Sequence, residues 1–301
     1  MISKTSIIIS FLSSVYLFSQ NHKKINKIDS LQTAKDIQKF IEEKNIDYTI
    51  TVSDKLQYSN QCSTTSDSLN FRPWIKDDFD QNGLTDLLLT GNTKDEPKTI
   101  CILDMGNGFN TKKITRGSLY ETCAFVTTKD GKIEYKSNKI QSRQGYFSNL
   151  QTDHLIYKFG EFIEENSHPK RHNILELEFE ASSCYGKCPS FTLKIVSNRD
   201  IEWHADTDNN VNFQKYFGTY KSKLSQEQYK KLIEIINYID FENLNEDYSA
   251  GYTDSATGTL KITYDNLKTK NIRDYGMMGT RGLKKLYDIL FDLRGSLGWE
   301  K

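Results

Sequence analysis

Between positions 78 and 86 the chain reads Asp78-Phe79-Asp80-Gln81-Asn82-Gly83-Leu84-Thr85-Asp86, three carboxylates and an amide grouped around a glycine. A hard divalent cation such as Ca²⁺ collects six to eight oxygen ligands at about 2.3–2.6 Å, and a short loop supplies them by coiling round the ion. Alternate residues of such a loop turn inward, and a glycine at its sixth place permits the sharp bend. Asp78, Asp80 and Asn82 hold the first, third and fifth places and Gly83 the sixth. The Leu84 carbonyl stands at the seventh and Asp86 at the ninth. An EF-hand requires a bidentate glutamate at the twelfth place; Leu89 is there, so the loop is of another kind. The expected metal ligands are therefore Asp78, Asp80, Asn82, Leu84 and Asp86, and the expected cofactor is Ca²⁺. The competing reading is a metal-free turn, because Asp, Asn and Gly favour turns on their own account.

Leu87, Leu88 and Leu89 follow as an apolar strand. A loop of this form running into a strand resembles the calcium loops of FG-GAP (integrin α-propeller-like) repeats, over about Trp74 to Gly91. Propellers close by radial repetition. The chain carries no second copy of the loop, so the resemblance implies one calcium loop and not a propeller.

Other chemistry is sparse. Cys184 and Cys188 are four apart in a glycine-containing turn, a spacing that can bring their Cα atoms into bridging range. A disulfide is the favoured reading. A metal pair would need further ligands, and only the distant His168, His172 and His204 are available; a reactive thiol pair and inert free thiols are the remaining alternatives. Cys101 and Cys123 fall on apolar strands and read as core residues, with Cys62 unassigned. His168 and His172 flank Pro169 in a polar stretch and read as solvated, whereas His204 should face away from Trp203 on a strand. No Gly-x-Ser-x-Gly elbow, phosphate loop or His-Glu-x-x-His is present. Asp104 and Asp254 sit in turns, where acids serve local hydrogen bonding.

The positioning elements divide into two sets. Ile28 to Lys44 shows a helical stripe of Ala34, Ile37, Phe40 and Ile41, with Asp29 as cap and Gln32 as its capping-box partner. Tyr48, Ile50 and Val52 alternate as a strand, and Tyr58 to Ser68 is a polar loop. Strands are expected around Ile100–Leu103, Cys123–Thr127 and Ile133–Tyr135, the last two joined by an Asp130-Gly131 turn, and one more over Leu155–Phe162.

From Leu175 the pattern changes to clean alternation: Leu175, Leu177 and Phe179 face one way, Glu176, Glu178 and Glu180 the other. Phe191, Leu193 and Ile195, then Ile201, Trp203 and Ala205, repeat it. Ser225 and Gln228 form a capping box before a helix carrying Leu232 and Ile236. Leu260–Tyr264 and Thr269–Tyr275 make a hairpin. A last helix shows Leu283, Leu286, Tyr287, Leu290 and Leu293, with Gly295 as its terminal cap. Strands followed by helices in this way predict an α+β fold with two domains: a mainly-β N-terminal domain with a leading helix, and a C-terminal antiparallel sheet with two helices. The expected boundaries are 1–19 for a signal peptide, 20–163, a linker at 164–173, and 174–301.

The stretch Ser183-Cys184-Tyr185-Gly186-Lys187-Cys188-Pro189 between two strands, with Tyr238–Asn243 and Thr253-Asp254, resembles a bacterial domain-of-unknown-function family, numbered 6438, over about Asn173 to Arg294. The resemblance implies an exported protein and no particular activity. Lys4 followed by the apolar run Ile7 to Phe18 is a secretory signal pattern too short for a stable membrane span. Lys plus Arg and Asp plus Glu are balanced at 40 each, which leaves no electrostatic footprint for nucleic acid. The expectation is an exported, periplasmic or extracellular binding or structural protein with a protein or glycan partner. The alternative is a secreted hydrolase with its site between the two domains.

Overall fold

The structure is a computed structural model and describes residues 26–59, 62–63, 72–117, 119–129, 131–139 and 149–301. The expected signal segment, Asp130 and most of the 58–68 loop lie outside the described residues.

The N-terminal half has three layers. Its middle layer is a four-stranded antiparallel sheet in chain order: β1 (Trp74–Asp77), β2 (Asp86–Gly91), β3 (Lys98–Asp104) and β4 (Phe109–Lys113). Both faces of β2 are buried, which is why its sequence is a continuous apolar run and not an alternation. Leu87, Leu89, Ile100 and Ile102 pack under α1 (Ala34–Glu43) through Ile37, Phe40 and Ile41. Leu88, Cys101 and Leu103 pack the other way, onto Val126, Ile133, Tyr135 and Leu155 of a second antiparallel sheet. That sheet is β5 (Glu121–Lys129), β6 (Lys132–Lys139), β7 (Gln151–Lys158) and β8 (Glu161–Glu164).

Several expected elements are corrected. The helix α1 begins at Ala34, not near Ile28, because Thr33 and Asp36 form the capping box and Asp29 instead closes a turn with Asn26. Ile50 and Val52 are buried and Tyr48 is exposed, but among the described residues the pairing there is one bridge, Thr51 to Asn92. Gly91 permits that crossing: a Cβ on it would stand 2.3 Å from Ile50 Cγ2. The Leu155–Phe162 segment is two strands, turned at Phe159-Gly160, where both residues have positive φ as a tight hairpin requires.

The C-terminal half is a seven-stranded sheet in the order β14-β11-β10-β9-β16-β17-β15. The ranges are β9 (Ile174–Ala181), β10 (Phe191–Val196), β11 (Asp200–Ala205), β14 (Gly218–Lys223), β15 (Asp247–Ser249), β16 (Thr257–Tyr264) and β17 (Lys268–Tyr275). All neighbours are antiparallel except β15 with β17. A small hairpin, β12 (Asn210–Val211) with β13 (Gln214–Lys215), branches between β11 and β14. Two helices, α2 (Gln226–Tyr238) and α3 (Arg281–Ser296), cover one face through Leu232, Ile235, Ile236, Leu286, Tyr287 and Leu290. The Ser225–Gln228 capping box opens α2 as expected. Gly295 lies inside α3 and does not cap it; it stands where a Cβ would press on Val211 at 3.0 Å. The uncovered face carries a cross-strand row, Lys261–Glu178–Lys194–Glu202–Lys221, in which every neighbour has the opposite charge. Such pairs contribute about 0.2–1 kcal/mol each and suit a solvated face.

Candidate functional site

The 78–86 loop joins β1 to β2, and Asp86 closes it. This carboxylate is fully buried. Its Oδ2 accepts the N–H groups of Phe79 (2.8 Å) and Asp80 (3.3 Å), and its Oδ1 accepts that of Asp104 on β3 (2.8 Å). Asp78 binds the turn from the other side, accepting from the amides of Asn82 (3.0 Å) and Gly83 (2.8 Å). Asp80 accepts from the Asn82 amide (3.1 Å) and from Asn82 Nδ2 (3.0 Å). Gln81 and Gly83 have positive φ, so the chain coils tightly enough to aim alternate side chains inward. Carboxylate oxygens of Asp78, Asp80 and Asp86 all lie within 4.8 Å of one another.

Three of the five expected ligands therefore converge. Asn82 is partly engaged elsewhere: its Oδ1 accepts the Leu84 N–H (2.8 Å), and its Nδ2 also donates to the Asp104 carbonyl (2.7 Å). Leu84 is half-buried, and the contact it shows in the loop is through its amide. Asp104, read from sequence as an ordinary turn acid, is buried and belongs to the site through its backbone. Sequence periodicity could not show this, because β3 reaches the loop only by pairing with β2.

The electrostatics follow from burial. Desolvation pushes the Asp86 carboxyl up to about 7, opposed by the Asp104 amide and reinforced by the charge of Asp80. Burial also raises Asp80, against the Asn82 amide and with Asp78 adding to it. The same charges reach Tyr157 on β7, whose phenol is raised by burial first and Asp80 second. Among the described residues no lysine, arginine or histidine forms an ion pair with Asp78, Asp80 or Asp86. The donors are hard oxygens, the chemistry suited to Ca²⁺ or Mg²⁺ and not to a soft metal. An open cleft of about 390 Å³ borders Asp78 and Phe79 and reaches Tyr157 and Lys132.

The cysteines resolve into two bridges. Cys184 and Cys188 are joined, with Cα atoms 5.5 Å apart. Cys62 and Cys123 are joined at 5.1 Å, so Cys123 is a core residue as expected and takes Cys62 as its partner; Cys101 is the buried free thiol. Cys123 takes φ +52° in a bulge of β5, which turns its side chain out of the strand's regular alternation. Of His168, His172 and His204, one differs from expectation. His204 faces away from the buried Trp203 and meets Thr219. His168 is exposed, but His172 is not solvated: its side chain is 12% exposed and lies between Asp265 and Glu242.

A cleft of about 900 Å³ opens within the N-terminal half, beside Tyr48, Lys98, Arg116 and Glu121. Glu121 is committed there to the Arg116 N–H and to the hydroxyls of Tyr135 and Ser137. A smaller one, about 350 Å³, lies between the halves along Glu164, Asn166, Tyr238 and Thr280. The Glu164 carboxylate is held by the first two amides of α3, from Arg281 (2.7 Å) and Gly282 (2.9 Å).

Residues 175–294 match the model of a family described as Domain of unknown function (DUF6438). The match covers the seven-stranded sheet and most of its helices and leaves the acidic loop outside it. No curated protein and no solved structure matches the chain.

Proposed function

We propose that the chain is an exported binding or structural protein of the bacterial cell envelope, and that one Ca²⁺ in the 78–86 loop stabilises its N-terminal half. The observation that carries this reading is the convergence of the Asp78, Asp80 and Asp86 carboxylates, with Asp86 wholly buried. Ionising such a cluster is costly, and a divalent cation offsets that cost. Asn82 Oδ1 and the Leu84 carbonyl would complete the protein's share of an oxygen shell, in the manner of a single FG-GAP-like loop.

Two disulfides support export, since such bridges persist in oxidising compartments. Among the described residues no helix is long and apolar enough to cross a membrane. Exposed aromatics support binding of a protein or glycan. Ala181, Phe191, Ala205 and Gly218 are register partners, so the 182–190 and 206–217 segments leave the sheet at one end. Tyr185 is 90% exposed there on the disulfide loop, with Phe213 and Phe217 also exposed. The hydrolase reading has less support: Glu121 in the cleft of about 900 Å³ and Glu164 in that of about 350 Å³ are engaged by backbone amides or hydroxyls.

Titration calorimetry tests the cation directly. Ca²⁺ added to chelator-treated protein should bind at a single site, Mg²⁺ should bind more weakly, and Asp80→Ala should bind neither. Absence of Ca²⁺ binding to the wild type at millimolar concentration would overturn the reading.

A further inference from the structure

His172 lies one residue before the end of the segment that runs from β8 to β9, and its ring lies between two carboxylates. Nδ1 is 2.8 Å from Asp265 Oδ2, in the β16–β17 turn, and Nε2 is 3.2 Å from Glu242 Oε2, in the short 3-10 helix Phe241–Asn243. Phe241 and Tyr264 meet the imidazole edge-on at 5.2 and 5.1 Å, so the ring is held in one plane. The backbone on either side is fastened to the same partners. The His172 N–H donates to Asn237 Oδ1 (3.0 Å), the Asn173 N–H to Asp265 Oδ1 (2.9 Å), and the Asp265 N–H to the Asn173 carbonyl (2.8 Å).

An imidazole has two N–H donors only as the cation, and an ionised carboxylate only accepts. Nδ1 hydrogen-bonds Asp265 and Nε2 lies within ion-pair distance of Glu242, so the charge state this pair of contacts favours is imidazolium between two carboxylates. We infer that His172 is a proton-operated clasp, fastening the connector between the two halves to the C-terminal sheet when the ring is charged and loosening it when the proton leaves. On deprotonation one ring nitrogen turns a lone pair toward a carboxylate oxygen, and an attraction becomes a repulsion. The clasp is therefore shut on the acid side of the ring's titration and slackens as pH rises. At strongly acid pH the carboxylates protonate and it slackens again.

The surrounding charges keep the change local. Lys170 of the connector is 3.3 Å from Glu242 Oε2, and Tyr264 donates to Oε1 at 3.0 Å. Lys270 of β17 donates to the Glu242 carbonyl at 3.1 Å and lies 3.9 Å from Glu246. The charge of Lys268 also reaches Asp265. These groups hold the 3-10 helix and the turn in place whether or not His172 is charged, so the part that moves is the connector. The Asp265 carboxyl lies below the ordinary aspartate range, first through its hydrogen bond with His172, consistent with that pairing.

Nitrogen-15 spectra of the imidazole and amide exchange, followed together on the full chain across the pH range in which it stays folded, test this. At the acid end both ring nitrogens should carry protons. As the ring loses its proton, the protection factors of the Asn173 and Asp265 amides should fall by about tenfold or more. His172→Gln, which cannot charge, should show the low protection at every pH; Asp265→Asn should shrink the step. The inference is overturned if wild-type protection at Asn173 and Asp265 is flat through the ring's titration. It is equally overturned if a neutral tautomer is found at every pH.

Discussion

Asp274 is buried at the end of β17, where its oxygens accept the Met278 and Gly279 N–H groups at 2.7 and 2.8 Å. The Arg116 guanidinium, from the other half of the molecule, takes the carbonyls of the same turn at 3.0 Å each. Burial raises the Asp274 carboxyl above its ordinary value, against the pull of those amides and of Arg116. The sign of its pH effect follows. A carboxyl whose folded pKa is raised holds its proton more tightly when folded, so the folded state loses stability as pH climbs from the unfolded value, near 4, through the folded one. Replacing it by Asn removes one acceptor and should cost about 1–3 kcal/mol. The wild type's advantage over Asp274→Asn should therefore be largest near pH 4 and shrink toward neutrality, as read by urea denaturation. An advantage that grows with pH would mean that Arg116 and the amides, not burial, govern this carboxyl.

Elements are where the chain was most and least legible. The alternation of Leu177, Phe179, Leu193 and Trp203 specified the C-terminal sheet, because one face is covered by helices and the other is solvated. The middle N-terminal sheet is covered on both faces, so Leu87–Leu89 carried no period, and its α1 cap at Thr33 was masked by a competing box at Asp29. The candidate ligands of the loop were legible because they are consecutive. Asp104, Tyr157 and the Cys62–Cys123 bridge were not, since sheet pairing brings them in from a distance. The two bridges differ in what they constrain. Cys62 and Cys123 are 61 apart and Cys184 and Cys188 only 4, which in the chain-entropy account gives about 4 against about 2 kcal/mol. Protein made in its own host and mapped by mass spectrometry without reductant should show both bridges, a free Cys101, and a first residue near Gln20. Intact residues 1–19 or alkylation of all five cysteines in the abundant form would contradict export.

At the scale of the whole molecule, the halves are joined by more than their connector. Glu164 caps α3, Arg116 holds the 278–279 turn, and Arg281 donates to the Ile114 carbonyl (2.6 Å) while lying over the Tyr135 ring. Arg281 thus ties the first turn of α3 to the second N-terminal sheet, whose inner face packs against the layer carrying the acidic loop. Stabilising the loop should for that reason be felt in the main unfolding transition and not only locally. The direct measurement is a pair of thermal melts at neutral pH, one with Ca²⁺ in large excess and one with chelator. At about a hundred times its dissociation constant the ion should add about 2.7 kcal/mol, raising Tm by about 4–5 °C for a chain of this length. Asp80→Ala should remove the difference, and Asp54→Ala, exposed and outside the loop, should keep it. Wild-type curves that superimpose with and without Ca²⁺ would contradict the calcium assignment and leave residues 78–86 a hydrogen-bonded turn.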